Sequence, residues 1–194
     1  SDLYGLSLDY SNDILVIGAP LDEYDSSGSD LMSNAGSVYV YDHSIVNSKN
    51  VWTPVQKLSG QYKNNTREPG DMYGSSVQRY DNNIIISLPG NDYDESGLNY
   101  ISGAGKVIIF TIDDKNNLTQ KQVLLEPTRL DNNAFGTFCI MSSSYLYISS
   151  ASGIYIYEYN STKNTFVEST SIARTTIHQM LCYENSCAIT YGQS

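Results

Sequence analysis

Charge is scarce in this sequence. Asp, Glu, Lys and Arg make up 16% of its 194 residues, where about 25% is ordinary. Basic residues are the scarcer kind, 11 Lys and Arg against 21 Asp and Glu, which leaves a net charge of −10. Gripping a phosphate backbone takes clustered Lys and Arg, so a nucleic-acid partner is not expected. An anionic membrane surface would repel the chain for the same reason. No apolar run approaches the roughly 18 residues that cross a bilayer as a helix. No charged segment leads into an apolar one near the start, so no signal peptide is expected there. The strong helix formers Ala, Lys and Arg are too few for a helical bundle. The 3 Cys form no disulfide framework. The 2 His, His43 and His178, have no Ser, Asp or Cys at motif spacing. Neither a nucleophile elbow, a P-loop nor a His-Glu-x-x-His helix is present, so no catalytic activity is expected.

What is abundant is Tyr, at 17 residues, together with Ile, Val, Ser, Thr and Asn. This is strand and turn chemistry, and it recurs. Tyr4-Gly5-Leu6-Ser7-Leu8 returns as Tyr73-Gly74-Ser75-Ser76-Val77 and as Phe135-Gly136-Thr137-Phe138-Cys139. Each copy runs without a gap into an apolar strand: Ile14–Ile17, Asn83–Ile86 and Tyr145–Ile148. A third strand follows at Ser37–Tyr41, Lys106–Phe110 and Gly153–Tyr157, and a weaker fourth near Val55–Leu58, Gln120–Leu125 and Phe166–Ser171. A degenerate copy begins near His178. The expected fold is all-β: β-propeller blades of four-stranded antiparallel sheets, three blades plus part of a fourth. The blades are expected over 1–70, 71–131 and 132–175, with the start of the fourth over 176–194.

Tyr4-Gly5, Gly18-Ala19-Pro20 and Ala35-Gly36-Ser37-Val38-Tyr39-Val40-Tyr41 together resemble the FG-GAP repeat of integrin α-subunit propellers. The second copy keeps Tyr73-Gly74, Pro89 and Ala104-Gly105; the third keeps Phe135-Gly136. The resemblance implies an extracellular or cell-surface propeller used in binding or adhesion. The calcium loop many such copies carry between their first two strands is missing from Asp9–Asp13, Gln78–Asn82 and Ile140–Ser144. Three blades and a fraction do not close a ring of 4–8. Further blades, from the same or another chain, are therefore expected as partners, beside a protein or glycan ligand.

Two long acidic loops between second and third strands match in length, from Pro20 to Gly36 and from Pro89 to Gly105. Asp22, Asp25, Asn91, Asp92 and Asp94 are candidate ligands for Ca²⁺, a hard cation that collects oxygens. Tyr24 and Tyr93, with Asp30 and Glu95, are candidate contacts for a sugar or protein partner. Plain solvated turns are the other reading of the same residues. Cys182 and Cys187 flank a hairpin at a spacing that suits a local disulfide, and Cys139 takes an apolar repeat position. Asn64, Asn117 and Asn160 open glycosylation triplets. A propeller enzyme acting on glycans, or a lectin, is the alternative function.

Overall fold

A computed structural model describes residues 1–29, 31–60, 67–142, 144–173, 177–183 and 186–191, with side chains up to residue 172. The described residues are strands and turns, with no helix. The first blade is β1 (Ser7–Ser11), β2 (Ile14–Ala19), β3 (Ser37–Val46) and β4 (Lys49–Leu58). The second is β5 (Val77–Tyr80), β6 (Asn83–Leu88), β7 (Lys106–Ile112) and β8 (Leu118–Leu124). The third is β9 (Cys139–Ser142), β10 (Tyr145–Ser150), β11 (Gly153–Asn160) and β12 (Thr165–Ala173). Each is a four-stranded antiparallel meander in sequence order. The pair β13 (Ile177–Tyr183) and β14 (Ser186–Tyr191) forms a two-stranded sheet. The innermost strands β1, β5, β9 and β13 lie side by side, as in propeller blades. No ring closure is seen among the described residues.

The repeat extends to backbone detail. Third and fourth strands slip register at one repeat position in every blade, at Val40/Tyr41, Ile109/Phe110 and Ile156/Tyr157. Such β-bulges increase local twist, which a blade needs. Leu3, Met72 and Ala134 also share one position, just before Tyr-Gly or Phe-Gly, and all have left-handed φ of 50°, 53° and 50°.

Blade 2 explains why its strands read as solid apolar runs. Ile84 and Ile86 join Val16, Val38 and Val40 in one core between blades 1 and 2. Ile85, Val107 and Ile109 point the other way and join Phe135, Leu146 and Ile148 in a second core toward blade 3. A sheet buried on both faces has no polar side to alternate with.

Two strand expectations needed extension. β4 begins at Lys49, six residues before Val55, because Asn47 and Ser48 (φ 49° and 60°) make a two-residue turn. Its polar sequence and Pro54 suit an outermost strand beside a bulge, where a missing N–H costs little. The third strand, expected to end at Tyr41, runs on through His43, whose ring packs on Trp52 at 4.6 Å.

Candidate functional site

The β2–β3 and β6–β7 loops leave their blades at the same end and are built to one plan. In the first, the Asp22 carboxylate accepts the Tyr24 N–H at 3.0 Å. In the second, Asn91 Oδ1 accepts the Tyr93 N–H at 3.0 Å. Further along, Asp25 Oδ1 accepts the N–H groups of Ser27 (3.1 Å) and Ser29 (3.0 Å). Asp94 Oδ1 accepts the Ser96 N–H at 3.0 Å and its hydroxyl at 2.6 Å, and Asp94 Oδ2 takes the Asn99 amide. Each loop then doubles back as a small antiparallel bridge, Tyr24 with Leu31 and Tyr93 with Tyr100. The Met32 N–H closes the first onto Glu23 O, and the Ile101 N–H closes the second onto Asp92 O, both at 2.8 Å. Asp92 Oδ1 also accepts the Gly103 N–H at 2.7 Å.

Each of the candidate metal ligands Asp22, Asp25, Asn91, Asp92 and Asp94 therefore has one side-chain oxygen that accepts an N–H of its own loop. A calcium ion collects 6–8 oxygens. Among the described residues, no three His, Cys, Asp or Glu side chains gather as a metal-holding group.

The electrostatics of the two loops differ underneath. Burial alone would raise the Asp22 pKa, but hydrogen bonds from Lys57 Nζ (2.8 Å), Tyr39 OH (2.6 Å) and the Tyr24 amide outweigh it. The carboxyl stays below its ordinary range. Blade 2 has the neutral Asn91 at that place, and its Nδ2 donates to Asp71 at 2.7 Å. Asp71 is buried, and desolvation pushes its pKa up to about 6. Lys106 is fully buried nearby; burial lowers its pKa to about 8 against the pull of Asp71. In blade 3 the loop shrinks to a tight turn between Ser150 and Gly153. Buried Glu126 accepts there from Ser150 Oγ (2.8 Å) and from the Asn133 amide.

Two arginines that composition and motif reading passed over fix the loops from behind. Arg67 donates to Glu23 O (3.0 Å) and Asp22 O (3.2 Å). Arg129 donates to Asp92 O and Asn99 O, both at 3.0 Å. Each reaches back from the connection between blades to the loop of the preceding blade. The signal was present as Thr66-Arg67 and Thr128-Arg129, each Arg six residues ahead of Tyr73 or Phe135.

The loop surfaces carry exposed apolar residues: Tyr24 at 51%, Leu31 at 60%, Leu98 at 82% and Tyr100 at 58%. Tyr93 is half-buried, its ring edge-on to Tyr100 at 5.5 Å, and Glu95 is exposed. Asp30 and Asn64 lie outside the described residues. Asn117 is exposed at the start of β8, and Asn160 ends β11. Across the last hairpin Cys182 is the register partner of Cys187; their side chains lie outside the described ones. Cys139 is a buried free thiol whose pKa is raised by desolvation. No protein-family model and no curated protein matches this chain.

Proposed function

We propose that this chain is an extracellular or cell-surface binding module, a run of propeller blades whose loop face receives a protein or glycan partner. The observation that carries this reading is the pair of matched loops. Both are fixed by their own hydrogen bonds and by an arginine, and both hold apolar and aromatic side chains out to solvent. Rigid loops lose little entropy on binding, so contact area converts more fully into affinity. Exposed aromatic residues are the common anchors of such contacts. The residue resemblance to the FG-GAP repeat points the same way.

The test is direct. Labelled chain is applied to a glycan array and to immobilised extracellular-matrix proteins, beside a Tyr24→Ser/Tyr100→Ser variant. Binding to one of the two panels, weakened about 10-fold or more in the variant, is expected. Binding that the double substitution leaves intact, or no binding to either panel, would refute the reading. The panel that responds separates lectin from protein receptor.

A further inference from the structure

Blades 2 and 3 each bury one sheet face against the blade before them. Tyr73, Val77, Ile84 and Ile86 do so in blade 2, and Phe135, Cys139, Leu146 and Ile148 in blade 3. The matching residues of blade 1 are Tyr4, Leu8, Leu15 and Ile17. Tyr4 is 53% exposed and Leu8 61%, where Tyr73 and Val77 are at 0% and 1%. The same uncovered face continues through Tyr10 and Trp52, which are 46% and 45% exposed. Aromatic residues in such a patch are typical of protein interfaces.

The backbone carries the same message independently. The N–H groups of Met72 and Tyr73 donate across the blade boundary to Asn34 O (3.1 Å) and Ala35 O (2.9 Å). Those of Ala134 and Phe135 donate to Gly103 O (2.8 Å) and Ala104 O (3.0 Å). Leu3 and Tyr4 keep this geometry. Leu3 has the same left-handed φ, and the Gly5 N–H bonds Gly18 O at 3.0 Å as the Gly74 N–H bonds Ser87 O. Yet among the described residues the N–H groups of Leu3 and Tyr4 have no acceptor. A left-handed leucine is unfavourable for an L-residue and persists where its surroundings over-determine it. Gly5 repeats the pattern: a Cβ there would meet nothing within 4 Å, whereas at Gly74 it would lie 2.7 Å from Ser37 O and 3.2 Å from Gly18 Cα.

We infer that the uncovered face of blade 1 is a docking surface for one further four-stranded blade of the same repeat, stacked on blade 1 as blade 1 stacks on blade 2. The occupant presents aliphatic side chains at the places of Val16, Val38 and Val40. It offers two successive carbonyls where Asn34 and Ala35 stand, and a small residue where Gly18 stands. Those carbonyls belong to the entry of a third strand. The occupant is therefore a blade that carries a third strand of its own.

The experiment reads amide hydrogen exchange on the chain itself and on a version with residues 1–69 repeated ahead of Ser1. In the extended protein, the Leu3 and Tyr4 amides of the original blade are expected to slow about 100-fold or more, toward the rates of Met72 and Tyr73. Gly18→Val placed only in the added copy is expected to abolish that protection, because a Cβ at the equivalent Gly18 lies 2.0 Å from Gly74 O. Fast exchange at Leu3 and Tyr4 in the extended protein, or an added copy that exchanges as unfolded chain, overturns the inference. A second measurement needs no extension. In hydroxyl-radical footprinting of the chain alone, Tyr4 and Leu8 are expected to stay reactive at every protein concentration while Tyr73 and Val77 stay silent. Protection of Tyr4 that grows with concentration would make a second copy the occupant and overturn the inference.

Discussion

Tyr4 and Tyr73 hold the same place in successive blades, each after a left-handed residue and before a left-handed glycine. Tyr73 is sealed between two sheets, and Tyr4 is half in water. The same holds one turn further on for Val77 and Leu8. The difference teaches that a blade of this kind is not a finished unit. Its own hydrogen bonds fix its strands, but the sheet in front of it supplies part of its apolar burial. Blade 2 has that neighbour; among the described residues blade 1 does not.

Removing the two side chains sharpens this contrast most. Tyr73→Ala is expected to cost about 3–5 kcal/mol, the range for emptying an aromatic site in a core. Tyr4→Ala is expected to cost under about 1 kcal/mol, since little area leaves the protein interior. Urea unfolding of both variants measures the pair. The glycines come next. Gly5→Ala meets open space and bears only the cost of its positive φ, about 1 kcal/mol. Gly74→Ala adds a collision with the backbone of blade 1 and is expected to cost at least about twice as much.

Asp71 gives a smaller effect with a definite sign. Its folded pKa of about 6 lies above its unfolded value, so the folded state binds more protons between about pH 4 and 6. This group therefore adds stability at low pH that fades as pH rises through about 6. The contribution is on the order of 3 kcal/mol. Asp71→Asn, which gives blade 2 the residue blade 3 has at Asn133, is expected to flatten that part of the stability–pH curve. Thermal denaturation from pH 4 to 7 reads it. The smallest expected effect is chelation. The loops are held by N–H groups on Asp25 and Asp94, so EDTA is expected to leave the unfolding temperature unchanged. A drop of several degrees would restore calcium as a structural ligand.

The inner strands were legible in the sequence because Ile84–Ile86 and Val38–Val40 can satisfy only a buried sheet. Most of β4 was not, since an outermost strand carrying Lys49, Asn50 and Pro54 has the composition of a turn. The acidic loops were found, with their lengths and their tyrosines. Their carboxylates read equally as ligands or as turn caps, because a lone pair serves either a cation or an N–H. The hydrogen-bond partners show the turn-cap role. Arg67 and Arg129 were passed over for a different reason: they recognise backbone carbonyls far along the chain, and their one trace in the sequence is the repeated Thr-Arg ahead of Tyr73 and Phe135. Asp71 and Lys106 gave no warning of burial, since it comes from packing between blades.

The central claim is that successive blades share one face-to-face plan and that blade 1 keeps its half of it open. Residue-resolved hydrogen exchange on the unaltered chain tests it. Met72 and Tyr73 amides should exchange at rates set by opening of the blade 1–2 interface, and Leu3 and Tyr4 amides should exchange orders of magnitude faster. Equal protection at the two sites would contradict the account.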